Sequence, residues 1–249
     1  MFDNAGVEPP QFPMRVSEFL AQADRFLNRG DIVLSRSPNL SSRLIRATSG
    51  GFFSHAAMVF LVPKRDDGFE NTFVVESLYR GVGLGNLGSY IGGKRPSEEI
   101  AVLRLKGREF DQGFFKQVRG LMLDHVHKPY DFGKVVNLAL SFLFGIRIGI
   151  AKLSRTKLVY KSWTPTEFIC SGFIQYGYVE AMRRRGLDPT PVIFKKNGSA
   201  RDREALLATT PEDMAKSEKL TWLFAVRRGF VYRVTHYEQA CKIISAARS

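Results

Sequence analysis

Cysteine is scarce in this 249-residue chain, with only Cys170 and Cys241. Two thiols build neither a disulfide framework nor a cysteine-rich metal cluster, so no structural zinc and no other cofactor is expected, and a reducing compartment is the default. The stretch from Met1 to Met14 lacks a basic start followed by an apolar run and carries Asp3, Glu8 and three prolines instead. Export through a signal peptide is therefore not expected, which leaves a cytoplasmic location, membrane association, or export by a signal-independent route. No low-complexity linker divides the chain, so residues 1–249 read as a single domain. Zinc-finger and ribonucleoprotein-type motifs are missing as well, and nucleic acid is not an expected partner.

An uninterrupted membrane-spanning run is also lacking. Residues 135–153 come nearest, with Leu138, Leu140, Phe142, Leu143, Phe144, Ile146, Ile148 and Ile150, but Asn137, Arg147 and Lys152 break the segment. A span needs about 20 apolar residues and tolerates few charges. The segment reads either as an apolar insertion covering a substrate or lying at a membrane interface, or as a buried core helix.

Basic residues, by contrast, are abundant. Lys and Arg number 37 against 24 Asp and Glu, a formal charge of +13, with clusters at Arg183-Arg184-Arg185, Lys195-Lys196 and Arg227-Arg228. Such a surface attracts anionic partners, an anionic membrane surface among them, although a solvated basic face explains the same runs.

The periodicities describe a mixed α+β chain. Apolar positions Phe19, Leu20, Ala23, Phe26 and Leu27 predict a helix over 16–27 opened by Ser17 as its cap. Gly30-Asp31 signals a turn before the buried strand Ile32-Val33-Leu34. A short helix over 41–48, with Leu44 and Ile45 inward, closes on Gly50-Gly51. Residues 54–62 predict a buried strand with His55 at its entrance, and 72–77 its returning partner. The glycines of 81–85 suit a short strand, because no βαβ setting supports a dinucleotide fingerprint. A strand over 100–105, a helix over 110–125, a helix start at Thr210-Pro211, and a hairpin around Arg227-Arg228-Gly229 follow. The chain then closes on a helix holding His236 and Cys241.

Cys170 opens the richest stretch, Cys170-Ser171-Gly172-Phe173-Ile174-Gln175-Tyr176. Its apolar stripe continues through Gly177, Tyr178 and Ala181, which predicts a core helix with the thiol in the first turn. There the helix dipole favours thiolate. A free cysteine on an apolar stripe is also, commonly, a small core residue. Thr164-Pro165-Thr166-Glu167 has capping-box form and would start the helix earlier. Glu76 is placed near a strand end adjacent to that of His55, where a carboxylate can orient an imidazole; taken alone, it reads first as a solvent-facing strand end. His125 and His127 sit at a helix end without a third metal ligand, and Cys241 reads as structural.

The set Gly30-Asp31-Ile32-Val33, Ser54-His55-Ala56-Ala57-Met58-Val59, Pro129-Tyr130 and Cys170-Ser171-Gly172-Phe173 resembles the motifs of NlpC-type cell-wall peptidases. The cysteine block here follows the histidine block, and that reversed order is similar to the circularly permuted papain-like group typified by YaeF/YiiX-type amidases and, more distantly, lecithin:retinol acyltransferases. Thr210-Pro211-Glu212-Asp213 resembles the Thr-Pro-x-Asp segment of the same group. The resemblance implies a permuted papain-like fold, with an antiparallel sheet packed against the cysteine helix. It implies Cys170 as nucleophile, His55 as base and Glu76 as the third polar residue, with Tyr130 and Ser171 on the substrate and oxyanion side. The expected activity is a thiol-dependent hydrolase or acyltransferase working through an acyl-enzyme on an amide or ester of a lipid-like acyl compound or a peptidoglycan peptide. The other readings are a non-catalytic lipid- or peptide-binding module on the same fold and a delivered peptidoglycan endopeptidase toxin.

Overall fold

The computed structural model describes residues 10–126 and 170–246, apart from 39, 67, 79–80, 92–98, 197, 199–205 and 207. Tyr130, His127, the capping-box sequence at 164–167 and the apolar segment 135–153 lie outside the described residues.

The eight described strands are β1 (Met14–Arg15), β2 (Ile32–Arg36), β3 (His55–Leu61), β4 (Phe73–Leu78), β5 (Gly81–Asn86), β6 (Glu99–Leu105), β7 (Leu220–Arg227) and β8 (Phe230–Arg233). They form one sheet in the order β1-β8-β7-β6-β2-β3-β4-β5, every neighbouring pair antiparallel. The helices are α1 (Val16–Ala21), α2 (Ala23–Phe26), α3 (Leu40–Ser49), α4 (Leu87–Ile91), α5 (Gln112–Leu123), α6 (Cys170–Arg184), α7 (Pro211–Ala215) and α8 (Tyr237–Ser245).

Both faces of the sheet are covered, which is why the central strands read as continuous apolar runs instead of alternating ones. On one face Ile32, Leu34, Ala56, Met58 and Leu103 meet Phe114, Val118, Phe173, Ile174 and Tyr178 of α5 and α6. On the other, Val33, Ala57, Val59, Val74 and Val102 meet Phe19, Ala23, Phe26 and Leu87. A one-residue slip of β2 or β3 would exchange the two sets, so the register beside His55 is held by burial on both sides.

Gly30-Asp31 serves this architecture. Gly30 has φ +93°, and a Cβ there would fall 2.1 Å from the Phe115 ring. Asp31 accepts from Arg104 Nε at 2.7 Å and Nη2 at 2.8 Å and from the Asn28 N–H at 2.7 Å. Burial pushes its carboxyl upward, against the pull of Arg104. Removing Arg104 would leave that carboxylate buried without its charge partner, a loss of about 3–5 kcal/mol.

Two local expectations are corrected. Ser17 does not cap the first helix: Arg15 is the N-cap, without a side-chain bond, and the helix is interrupted at Gln22. Pairing of Met14 and Arg15 with Val231 and Phe230 keeps the chain extended until Val16, so the sheet sets the boundary. His236 precedes α8 in extended backbone and is not part of the helix. Elsewhere the terminus chemistry agrees with the elements, including the reciprocal Thr210–Asp213 capping box on α7 and the Asp111 side chain that accepts from the Phe114 N–H at 2.6 Å.

Candidate active site

Cys170 stands at the first described residue of α6, buried at 5% exposure. α6 crosses the sheet over β3 and β4, held by Phe173, Ile174 and Tyr178 in the core and by the Tyr178 hydroxyl, which donates to the Gly30 carbonyl. Gln175 braces the same helix, donating to the Val192 carbonyl at 2.6 Å and accepting from the Phe194 N–H at 2.9 Å. This anchorage fixes the sulfur relative to the end of β3.

His55 opens β3 opposite Ser35 of β2, and its neighbour Ser54 donates its N–H to the Ser35 carbonyl at 2.9 Å. Glu76 lies opposite Ala57 in β4. Residues two apart on a strand share a face, so His55 and Ala57 project together and the carboxylate reaches the imidazole diagonally. The distance between His55 Nε2 and Glu76 Oε2 is 2.8 Å. The imidazole also hydrogen-bonds to the Cys170 thiol. With Nε2 committed to the carboxylate, Nδ1 is the nitrogen left for sulfur. Backbone N–H groups of Ala56 and Ser171 complete the surroundings of the sulfur.

The electrostatics follow from that packing. Burial by itself would lower the affinity of His55 for its proton, but the Cys170 thiolate and the Glu76 carboxylate outweigh it and hold the imidazole up at about 10. Burial would raise the Cys170 thiol, yet the His55 charge and hydrogen bond, with the two N–H donors, push it below its ordinary value. The favoured state is thus a thiolate–imidazolium pair. The His55 side chain keeps 17% exposure against 7% for Glu76, so solvent reaches the imidazole more than the carboxylate.

Three supporting features were not singled out by the sequence reading. The Tyr90 hydroxyl of α4 donates to the same Glu76 oxygen that meets His55. A Cβ at Gly85 would sit 2.7 Å from Glu76 Oε1, so the glycine spacing of β5 makes room for the carboxylate. Glu212, inside the Thr-Pro-Glu-Asp segment, accepts from the Phe52 N–H at 2.8 Å and from the Tyr237 hydroxyl at 2.6 Å, and pins the loop that leads into His55. The glycine pattern and the Thr-Pro-Glu-Asp segment were visible in the sequence, but not what they hold. Tyr90 and Glu212 meet partners 14 and 160 residues away, with no local periodicity to mark them.

Ser171 is the residue whose expected place is corrected. Its side chain is fully buried and donates to the Thr209 carbonyl at 2.6 Å, away from the imidazole. The hydroxyl is a strut between α6 and the segment before α7, and the N–H of this residue is the part that faces the sulfur. Glu76 is a buried partner of His55 and not a solvent-facing strand end. Among the described residues no group of three or more His, Cys, Asp or Glu side chains is arranged to hold a metal ion. Among those residues, too, no helix is long and apolar enough to cross a membrane.

Residues 26–140 match the YaeF/YiiX family of permuted papain-like amidase enzymes. This matched stretch, a little under half of the chain, is similar to the permuted papain-like amidases. The family's enzymes are hydrolases of amide bonds. The matched residues include His55 and Glu76, and Cys170 lies beyond them. The crystal structure of the metalloprotein yiiX from Escherichia coli O157:H7 is similar over 79% of this chain and 96% of that one, with a TM-score of 0.50 at 16% identity. At that identity the likeness speaks to the fold, a mixed α+β arrangement with an antiparallel sheet. No curated protein matches the sequence.

Proposed function

We propose that the protein hydrolyses an amide bond by covalent catalysis at Cys170. The observation that carries this reading is the single imidazole, His55, hydrogen-bonded to the Cys170 thiol on one side and to the Glu76 carboxylate on the other. A thiolate is the reactive form of cysteine, and an adjacent imidazolium both stabilises it and holds the proton the leaving amine will need.

In the proposed sequence, the Cys170 sulfur attacks the carbonyl carbon and the C=O π electrons move to oxygen. As the tetrahedral adduct collapses, the C–N bond breaks and His55 delivers its proton to nitrogen, leaving a thioester. A water molecule then gives a proton to the neutral imidazole and attacks the thioester. Collapse of this second adduct releases the carboxylic acid and restores the thiolate–imidazolium pair. Glu76 keeps Nε2–H directed away from sulfur, so that Nδ1 does the proton transfer, and Tyr90 holds Glu76. Tyr130 is proposed to steady the oxyanion, as the family resemblance implies.

The proposed substrate carries an amide of the acyl-lipid or cell-wall-peptide type. An acceptor other than water at the second step would give an acyltransferase from the same intermediate. A module that only bound its ligand would have no use for a charged thiolate–imidazolium pair, whose burial costs free energy unless the geometry is held.

Mass spectrometry of the full chain after exposure to a thiol-reactive acyl probe tests the reading. Wild type is expected to gain one acyl group on Cys170, with none on Cys170→Ser and strongly reduced labelling on His55→Ala. Labelling or amide turnover that persists in Cys170→Ala would overturn it.

A further inference from the structure

A single cross-strand row runs along one end of the sheet. Arg15 of β1 pairs with Phe230 of β8, and Phe230 pairs with Arg227 of β7. Ile100 pairs with Val226, a register that sets Glu99 beside Arg227, and Glu99 pairs with Arg36 of β2. Residues directly opposite one another share a face. Alternation along each strand agrees, because Met14, Val231, Val226 and Ile100, each next in sequence to a member of the row, all belong to the core on the Phe19 and Phe26 side. The row therefore points to the other face. His55 pairs with Ser35, the neighbour of Arg36, and projects away from it. The row is no part of the candidate active site.

The row is solvated and positive. Phe230 keeps 39% exposure, the Arg36 and Glu99 side chains keep 31% and 33%, and Arg15 is exposed. Arg228 follows Arg227 in the turn, exposed at φ 49°. Burial pushes the Glu99 carboxyl upward against the pull of Arg36, Arg227, Arg46 and Arg228. One carboxylate thus stands among arginines from β2, β7, α3 and the turn after β7. Arg36 meets it at 3.5 Å, Arg227 donates to the Ile243 carbonyl at 3.0 Å, and Arg46 donates to the Ser37 carbonyl at 2.8 Å. A guanidinium has five donors, so one such bond aims it without exhausting it.

The shape of the row selects its partner. A small anion needs positive charge converged on one point, whereas five strands at a spacing of about 4.8 Å string these side chains along about 19 Å. Within the line, between Arg15 and Arg227, stands an exposed phenyl ring. Arginines that meet phosphates while an apolar ring enters the headgroup level are the composition of a face that lies on an anionic bilayer. A nucleic acid also offers phosphates, but a lone ring gives it no stacking platform for successive bases.

We propose that Arg15, Arg36, Arg227 and Arg228, with Phe230 among them, form a docking surface for an anionic phospholipid membrane. The contact is peripheral and does not rest on the catalytic reading of Cys170.

Vesicle co-sedimentation of the full-length protein tests the surface, comparing pure phosphatidylcholine with phosphatidylcholine containing about 30% phosphatidylserine. Wild type and Cys170→Ala should bind the anionic vesicles alike and leave the neutral ones, and added salt should weaken the binding. Arg15→Gln/Arg228→Gln should bind about 25-fold more weakly, because each basic residue held at such a surface contributes about fivefold. Phe230→Ser should bind severalfold more weakly with the same salt dependence, since no charge is lost. Arg183→Gln/Arg184→Gln removes the same charge at the other end of the sheet, where Tyr178 of α6 meets Gly30 ahead of β2, and should stay within about twofold. Equal binding to neutral and anionic vesicles, or equal weakening by the two arginine pairs, overturns the surface. A single-stranded oligodeoxynucleotide bound more tightly than the vesicles through Arg15 and Arg228 assigns the row to nucleic acid and overturns the membrane as its partner.

Discussion

The two cysteines of this chain occupy neighbourhoods built from similar parts and are driven in opposite directions. Cys170 meets an imidazole backed by a carboxylate, Glu76, whose same oxygen also accepts from a tyrosine hydroxyl. Cys241 meets a tyrosine, Tyr237, whose hydroxyl is spent on a carboxylate, Glu212. In the first case the group between thiol and carboxylate can carry a positive charge, and the thiol is pushed down. In the second, that group is a phenol, itself pushed up by burial and by Glu212, so no cation faces the sulfur from that side. Burial and the negative charges of Glu212 and Glu238 then win over the Tyr237 hydrogen bond and Arg36, and Cys241 is raised. A carboxylate near a thiol activates it only through an intervening group able to hold a proton as a cation.

The comparison breaks most sharply at the sulfur. Cys170→Ala should lower amide turnover at least about 10³-fold, the scale of losing a nucleophile that works as part of a unit, while Cys241→Ser stays within about twofold. Equal losses in both variants would remove the distinction. Glu76→Gln should lower kcat about 10²-fold by weakening the hold on the imidazole tautomer, and Tyr90→Phe should act in the same direction by a smaller factor. Both are measured as a kcat against KM split, with KM nearly unchanged.

Alkylation as a function of pH sharpens the contrast. Cys241 should react faster only as pH rises past 9, whereas Cys170 should react at a nearly constant rate through neutrality and exceed Cys241 at pH 7 by about tenfold, since a lower thiol pKa gains thiolate but loses some nucleophilicity. Stability follows the same pair. The raised His55 contributes fully below its ordinary 6.5, and that contribution declines toward about 10. The lowered Cys170 contributes fully above its ordinary 9.0 and declines as pH falls. As pH rises toward 9.0 the gain from Cys170 opposes the loss from His55, and between 9.0 and about 10 the His55 loss stands alone, so the pair's part of the unfolding free energy should fall across that window. Denaturant midpoints of wild type and Cys170→Ala across that range measure it. The smallest effect belongs to the strut: Ser171→Ala leaves the Thr209 carbonyl without its donor and should cost about 1 kcal/mol of stability with kcat little changed.

Much of this architecture could be read along the chain. The apolar runs at Ile32-Val33-Leu34 and Ala56 to Leu61 announced strands covered on both faces, and the stripe from Cys170 to Ala181 announced a core helix. Thr210-Pro211 announced a helix start. Each of these signals is local, since a strand's facing or a helix's cap depends on residues within one or two turns. The order of the histidine and cysteine motifs was legible too, because motif order is a property of the chain itself.

What the chain could not reveal are the partners chosen by register and packing. Ser17 has the chemistry of a cap, but pairing of Met14 and Arg15 with β8 put the helix start two residues before the place where that chemistry would serve. Ser171 sits next to Cys170 in sequence, yet the turn of α6 sends its hydroxyl to Thr209. Whether Glu76 faced water or His55, whether Gly85 was a weak strand residue or the space for a carboxylate, and which of two cysteines met a base were all decided by which strands and helices lie side by side. Sequence alone determined the kinds of elements and the inventory of reactive groups, because those depend on short-range periodicity and residue chemistry. Tertiary structure decided which thiol became acidic, because a pKa is set by the charges and donors within a few ångströms, and these arrive from positions far apart in the chain.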